Sequence, residues 1–155
     1  MSLYLYPALH ERHPDEAAAP VATGPSAHLA LIQKAYEAFH SRDVAALLDV
    51  LAPDVHWVHP DGMSDYGLGG TKFGHEGVKE FLARVPTVLG GMRLYPQEFV
   101  ESADRVVVFG FRDVTSASGR TERLRFVHSW TLSGGRATRM EDIFDTVLFR
   151  RLIES

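Results

Sequence analysis

The stretch from residue 123 to residue 145 limits the possible folds of this chain more than any other part of it. It reads RLRFVHSWTLSGGRATRMEDIFD, two strand-like runs joined by Gly134 and Gly135, a dipeptide typical of a β-hairpin. Successive side chains of a strand point to opposite faces. One face of the first run is therefore apolar except for one histidine, and we expect it to look into a core or a pocket. That face carries Leu124, Phe126, His128, Trp130 and Leu132.

The length of the turn decides which side chain of the second run lies opposite His128. A two-residue turn places Glu141 there, whereas a three-residue loop with a bulge places Met140 there and puts Asp142 diagonally across on the same face. We favour the three-residue loop, because it brings the more apolar faces together and a slip by one residue inverts every side chain. Asp142 is then predicted to share an apolar surface with His128, where each needs a polar partner, water or a ligand. Glu141 takes that place if the shorter turn forms.

Composition argues against several classes of function. The chain has 155 residues, a net charge of −4 and no cysteine. The acidic balance, without any block of Lys or Arg, argues against a nucleic-acid partner, and the lack of cysteine excludes a disulfide framework or a thiolate nucleophile. No apolar run approaches the roughly 18 residues of a membrane span, and the N-terminus does not resemble a secretory signal. A cytoplasmic location is the default expectation.

The chain divides into an N-terminal arm and linker over residues 1–27 and a single domain over residues 28–155. The arm is expected to pack on the domain or on a second subunit. Helices, then a run of long strands, predict an α+β fold in which three helices pack on one face of a curved, mostly antiparallel sheet, leaving a cone with a mouth for a ligand. The predicted elements are helices over 28–41, 44–51 and 75–89, a short strand over 55–59, a glycine-rich loop over 62–74, strands over 93–101 and 105–115, the hairpin, and a short terminal helix or a tail over 148–153.

Three motifs in this order, AYEAFHSRDVAALLDVLAPDVHW, FGHEGVKEFL and GGRATRMEDIFD, resemble the nuclear transport factor 2-like (NTF2-like) superfamily. The resemblance is greatest to its SnoaL-like branch of small polyketide cyclases, relatives of ketosteroid isomerase and limonene epoxide hydrolase, and it covers residues 28 to about 150. It implies a cone-shaped, cystatin-like fold with a hydrophobic cavity and no cofactor. It also implies a homodimer formed through the outer sheet face, which here carries Arg123 and Arg125. Enzymes and binding modules both use this fold.

The resemblance also implies site residues. Polyketide cyclases use a histidine and an aspartate fourteen positions apart across the final hairpin, and His128 and Asp142 have this spacing. The general base of ketosteroid isomerases ends the first strand, which here is His59, at the mouth of the cone. In the epoxide hydrolases the catalytic aspartate falls on Asp142 and its partner on Asp113. Arg112 is predicted to face away from the cavity, which leaves that triad without its arginine.

These residues receive predicted roles. Asp142 is the general base or acid, with a pKa raised by burial, and His128 is the acid or the group that orients it. His59 is a second proton carrier. His56 and His59 are not expected to bind a metal, because residues three apart on a strand face opposite ways and no third ligand is apparent. The predicted lining of a cavity for a flat apolar ligand is Tyr36, Trp57, Tyr66, Phe126, Trp130 and Met140.

The sequence therefore predicts an acid–base enzyme of the isomerase or cyclase type, acting on a small hydrophobic substrate that bears carbonyl or hydroxyl groups, such as a polyketide. Two alternatives stay open. One is a non-catalytic module that binds a ligand or dimerises. The other is an epoxide hydrolase that uses Asp142 and Asp113.

Overall fold

The computed structural model describes residues 26–155, so nearly all of the predicted N-terminal arm lies outside the described residues. The helices are α1 (Ala27–Ser41), α2 (Val44–Val50), α3 (Gly74–Val88) and α4 (Thr146–Ile153). The strands are β1 (Leu51–His59), β2 (Gly70–Phe73), β3 (Leu89–Ser102), β4 (Arg105–Ser116), β5 (Thr121–Ser133) and β6 (Arg136–Ile143). No helix in this part of the chain is long and apolar enough to cross a membrane.

The six strands form one sheet in the order β2-β1-β6-β5-β4-β3. Neighbouring strands are antiparallel except for β1 and β6, which are parallel. The helices pack against the face that carries the buried side chains. The predicted α+β class, with three helices before the long antiparallel strands, is confirmed.

Helix α1 turns one apolar face toward the sheet and so carries Tyr36 into the interior. Ser26 caps this helix by accepting a hydrogen bond from the backbone N–H of Leu29 at 3.0 Å. Asp43 caps α2 by accepting from the N–H of Ala46 at 3.0 Å, and each cap satisfies a donor that the first turn leaves free. The buried positions of α1 recur at helical spacing: Ile32, Ala35, Tyr36 and Ala38.

The glycine-rich segment over 62–74 is not the irregular loop that the sequence predicts. It contains a 3₁₀ helix (Asp61–Tyr66) and strand β2, which pairs with β1 over four residues. Gly67, Gly70 and Gly74 have φ values of 73°, 79° and 68°, a region that L residues with a side chain rarely adopt. These glycines therefore make the sharp turns between short regular elements.

The turn between β5 and β6 is the shorter of the two considered. Gly134 and Gly135 are its only central residues, with φ values of 59° and 76°, and Ser133 pairs with Arg136 across it. Two positive φ values are what a type I′ hairpin turn requires. The predicted three-residue loop is wrong.

A β-bulge in β6 then changes the register. Thr138 is the extra residue in the ladder, and its hydroxyl donates to the carbonyl oxygen of Thr131 at 3.3 Å. The bulge shifts every later pair by one residue, so His128 lies directly opposite Asp142. The predicted pairing of His128 with Met140 is therefore wrong, whereas the prediction that His128 and Asp142 share a face is confirmed.

Candidate active site

A cavity of about 610 Å³ lies between the sheet and the helices. Most of its wall is apolar, with aromatic and sulfur-containing side chains from both layers. Four polar residues from four different strands form one part of this wall. The principal apolar lining is Trp57, Met63, Phe81, Met140, Phe144 and Phe149, and the four polar residues are His59, Arg112, His128 and Asp142.

Asp142 is the centre of this polar group and is only 3% exposed. Arg112 binds its carboxylate with two parallel hydrogen bonds, Nη1 to Oδ2 at 2.9 Å and Nη2 to Oδ1 at 2.5 Å. His59 Nε2 lies 3.5 Å from Oδ2, and His128 Nε2 lies 3.4 Å from Oδ1. Each carboxylate oxygen thus faces one arginine nitrogen and one imidazole nitrogen, a charge-assisted arrangement of high geometric specificity.

The protonation of Asp142 differs from the sequence prediction. Burial raises the pKa of the Asp142 carboxyl, but the Arg112 guanidinium and the His128 imidazole outweigh burial and hold this pKa well below its usual range. The predicted raised pKa is wrong because it treated Asp142 as a carboxyl without a cationic partner. Asp142 is therefore a permanent anion that orients its neighbours and a weak base itself.

Arg112 is the site residue that sequence reasoning placed on the wrong face. It points into the cavity, is 3% exposed, and its guanidinium carbon lies 5.1 Å from the ring centroid of Phe126 and 4.7 Å from that of Phe144. Gly110 makes room for this stack, since a Cβ there would meet the Phe126 ring at 2.6 Å. No sequence signal separates this face of β4 from the other, because apolar residues occupy both.

Asp113 lies on the opposite face of the sheet, as its neighbour in sequence must. There it accepts two hydrogen bonds from Arg123, at 2.7 and 3.0 Å. The cavity thus contains Arg112, the arginine that the epoxide hydrolase alternative lacked. It does not contain Asp113, the second carboxylate that this alternative requires. The proposed pair of Asp142 and Asp113 does not form.

Both ring nitrogens of His128 have partners. Its Nδ1 lies 2.7 Å from the hydroxyl oxygen of Tyr36, which also accepts a hydrogen bond from Trp130 Nε1 at 3.1 Å. Burial raises the pKa of the Tyr36 hydroxyl and lowers the pKa of the His128 imidazole. Because an indole nitrogen can only donate, the Tyr36 proton is directed at Nδ1 of His128. The ring hydrogen of neutral His128 is then on Nε2, where it faces Asp142.

His59 differs from His128 in having a nitrogen without a partner. It is the last residue of β1, and its ring stacks on that of Phe81 with centroids 4.0 Å apart. Burial lowers the pKa of His59 to about 4, so the ring is neutral at pH 7. Its Nε2 faces Asp142, whereas Nδ1 has no hydrogen-bond partner among the residues that the structure describes.

Three of the six predicted lining residues line the cavity and three do not. Tyr36, Trp57 and Met140 line the cavity. Phe126 and Trp130 lie behind it instead, where the Phe126 ring is 4.2 Å from that of His128 and Trp130 bonds to the Tyr36 hydroxyl. Tyr66 is in the 3₁₀ helix, where its hydroxyl donates to the carboxylate of Glu154, and it does not line the cavity.

The polar group does not resemble a metal centre. In residues 26–155, no set of three or more His, Asp or Glu side chains is arranged to hold an ion. Arg112 occupies both oxygens of Asp142, which puts a fixed positive charge where a cation would bind. The arrangement is suited instead to holding neutral imidazoles beside a buried anion, a setting for proton transfer.

Comparison with known proteins gives consistent matches. The sequence pattern of the SnoaL-like domain matches residues 32–140, which is more than half of the chain. The chain is 63% identical to TerC, whose crystals were grown with polyporic acid, with a TM-score of 0.83 over 84% of this chain and 100% of TerC. It is 52% identical to an NTF2-like protein of unknown function from Burkholderia pseudomallei, with a TM-score of 0.83 and the same coverage. An NTF2-like protein from Burkholderia xenovorans is 25% identical, with a TM-score of 0.71 over 82% of this chain and 95% of that protein. No protein with a curated description matches.

Proposed function

The chain belongs to the SnoaL-like domain family, and on this premise we propose that it is an acid–base enzyme of the isomerase or cyclase type. Its substrate would be a small, flat, hydrophobic compound with carbonyl or hydroxyl oxygens. The observation that carries this proposal is the buried Asp142 carboxylate, bound by one arginine and flanked by two histidines in the wall of an apolar cavity. Buried charges cost several kcal/mol of desolvation each, which favours a functional reason for keeping them.

The cavity supports the substrate class. A volume of about 610 Å³ lies within the range of roughly 300–1,000 Å³ that small-molecule sites occupy, and aromatic walls suit a flat ring system. TerC, at 63% identity, was crystallised with polyporic acid. That compound is a dihydroxybenzoquinone with two phenyl substituents, flat, apolar at its ends and rich in oxygen at its centre. We propose that this chain binds polyporic acid or a related aryl hydroxyquinone.

The geometry favours His59, rather than Asp142, as the base. His59 is neutral at pH 7 and keeps Nδ1 free, whereas both nitrogens of His128 are occupied. In the proposed reaction, neutral His59 takes a proton from a substrate carbon or hydroxyl next to a carbonyl group, and the electron pair of the broken bond forms an enolate. Asp142 stabilises the resulting imidazolium, and return of the proton to a different atom completes an isomerisation or ring closure. A positioned proton carrier of this kind contributes about 10²–10⁴-fold in rate.

The experiment uses matched pairs of variants. His59→Gln removes the base, and His56→Gln changes an exposed histidine on the same strand. Binding of polyporic acid is measured by calorimetry, and conversion of polyporic acid, related hydroxyquinones and aryl 1,3-diketones is followed by mass spectrometry. We expect wild type and His56→Gln to bind and convert at least one compound. We expect His59→Gln to bind it within a few-fold but to lower kcat by about 10²–10⁴.

Asp142→Asn should lower kcat as well, since the imidazolium then lacks its counter-ion, and Asp113→Asn on the outer face is its control. Equal turnover by wild type and His59→Gln would remove His59 from the role of base. Tight binding of polyporic acid without conversion of any compound in the panel would favour the non-catalytic binding module instead.

A further inference from the structure

A second cavity, of about 540 Å³, lies at the carboxyl ends of the parallel strands β1 and β6. The 3₁₀ helix, the start of β2 and the start of α4 complete its wall. Its lining differs in character from that of the first cavity, because it contains few aromatic rings and several hydroxyl and carboxylate groups. The side chains that characterise it are those of Val58, Asp61, Thr71, Glu141, Ile143 and Thr146.

The two cavities meet at the proposed proton carrier. Three residues, His59, Asp142 and Phe144, belong to the walls of both. His59 and Asp142 are buried, with 8% and 3% of their surface exposed, and Nδ1 of His59 is buried without a hydrogen-bond partner in residues 26–155. The polar cluster therefore lies between the two cavities.

The chemistry of the second cavity suits water and protons better than an organic ligand. Besides Asp142, its charged lining residues are Asp61 and Glu141, and no lysine or arginine from residues 26–155 lines it. Glu141 is bridged only loosely to Arg139, at 3.6 Å on the surface. An acidic wall attracts protons, whereas the aromatic wall of the first cavity suits a flat hydrophobic compound, so the proposed substrate would enter by the first cavity.

When a ligand fills the first cavity, protons need another route between His59 and solvent. A flat hydrophobic ligand there excludes water from the polar cluster. Any proton that His59 takes from the ligand and does not return must still reach solvent. The second cavity, whose wall also contains His59, offers such a path.

We propose that the second cavity is the port through which His59 exchanges protons with water while a ligand fills the first cavity. This inference rests on the proposed acid–base function. In the step concerned, neutral His59 accepts a proton and the electron pair of the broken bond stays on the substrate as an enolate. The imidazolium then passes a proton to a water molecule in the second cavity, which restores neutral His59.

The test fills the second cavity from two directions. Thr71→Trp acts from the exposed edge strand β2, and Ile143→Trp acts from β6, where Ile143 is 51% exposed. Thr121→Trp, at the exposed start of β5, is the control for adding the same bulk elsewhere on the sheet. With histidine labelled with ¹⁵N and the protein saturated with polyporic acid, the exchange rate of the His59 ring hydrogen with solvent is measured by NMR, and the affinity for polyporic acid by calorimetry.

We expect Thr71→Trp and Ile143→Trp to slow this exchange by about tenfold or more, since it then requires local opening of the fold. Thr121→Trp should exchange like wild type, and all four proteins should bind polyporic acid with similar affinity. Equal exchange rates in the complexes would overturn the port and leave the proposed function standing. The port would also be overturned if binding of polyporic acid by itself stopped the exchange of the His59 ring hydrogen in the wild-type protein. Failure of the wild type to bind polyporic acid would count against the proposed function and the port together.

Discussion

Asp142 stays ionised inside the protein because of Arg112. An isolated carboxylate in an apolar interior takes up a proton rather than remain charged. Here the guanidinium supplies a full opposite charge through two hydrogen bonds, and the aromatic rings of Phe126 and Phe144 hold that guanidinium in place. Nε2 of His59 and Nε2 of His128 lie 3.5 and 3.4 Å from the carboxylate oxygens, so the anion favours the tautomers that carry the ring hydrogen on Nε2.

The burial of His59 makes the stability of the protein depend on pH. Burial lowers the pKa of His59 to about 4 in the folded state, from 6.5 in an unfolded chain. Between these two values the unfolded chain binds a proton that the folded protein does not, so the free energy of unfolding falls as the pH falls. For this group alone we expect a loss of about 2 kcal/mol between pH 7 and pH 5, measurable by urea unfolding at the two values.

Variants separate the contribution of His59 to the pH dependence of stability from the contributions of other groups. His59→Gln should remove about 2 kcal/mol of the pH dependence. A remainder of the same sign should persist, because burial also lowers the pKa of His128. His56→Gln should keep the full dependence. The lowered pKa of Asp142 adds stability that is lost only at more acidic pH, below the usual range of a carboxyl. An identical change from pH 7 to pH 5 in wild type and His59→Gln would contradict this account of His59.

At the scale of secondary structure, the hairpin shows how far a sequence pattern reaches. Alternation of side chains predicted correctly that His128 and Asp142 share a face, because this depends only on period two. Which residue of β6 lies opposite His128 depends on the length of the turn and on every bulge between the turn and that pair. Thr138, a β-branched residue typical of strands, bears no local mark of the bulge that it forms. The turn was predicted one residue too long and the bulge in β6 was missed, so the predicted register differs from the observed one by two residues and the face is the same.

Deletion of Thr138 tests whether the site needs the bulge itself or only the register. Because Thr138 is the extra residue of the ladder, its deletion leaves Ala137 opposite Leu132 and Arg139 opposite Thr131, so Asp142 stays opposite His128. The pair of Asp142 and Arg112 is then kept. We expect the free energy of unfolding to drop by less than the roughly 3–5 kcal/mol that breaking a buried ion pair costs, and the binding of polyporic acid to be kept, as measured by urea unfolding and calorimetry.

Thr138→Ala is the matched control, since it keeps the residue count of β6 and loses only the hydroxyl bond to Thr131. It should also bind polyporic acid like the wild type. Loss of binding in the deletion variant alone would show that the site needs the bulge itself and not only the pairing of Asp142 with His128.

Strand β4 explains why Arg112 escaped prediction. Its buried face carries valines at alternate positions, but its outer face is nearly as apolar. With apolar residues on both faces, alternation cannot decide which face is inside. Between Val106 and Val114 the buried positions are Val106, Val108, Gly110, Arg112 and Val114, and the outer ones are Val107, Phe109, Phe111 and Asp113.

At the scale of the whole molecule, element order and the family motifs were enough for the fold, because each helix and long strand carries its own local signal. The site was only partly predictable, because its contacts join elements that are distant along the chain. Tyr36 of α1 meets His128 of β5, and Arg112 of β4 crosses to Asp142 of β6. Such contacts depend on strand order and register together, and local patterns specify neither.

The buried charges lead to a last prediction, on the balance between the stability of the domain and its function. Replacing a buried ion pair by apolar residues is often neutral or stabilising, whereas removing one partner leaves the other charge unpaired. We expect Arg112→Met and Asp142→Leu singly to lower the free energy of unfolding by about 3–5 kcal/mol. The double variant should be at least as stable as the wild type in urea unfolding, and all three should lose the binding of polyporic acid.

The exposed pair of Arg123 and Asp113 on the outer face provides the comparison, because surface ion pairs contribute about 0–1 kcal/mol. Its single and double variants should differ little from the wild type in stability and in binding. If the double variant at Arg112 and Asp142 proved as unstable as the single variants, the ion pair itself would stabilise the fold. If it is stable but does not bind, the domain retains these charges at a cost in desolvation for the chemistry that they support.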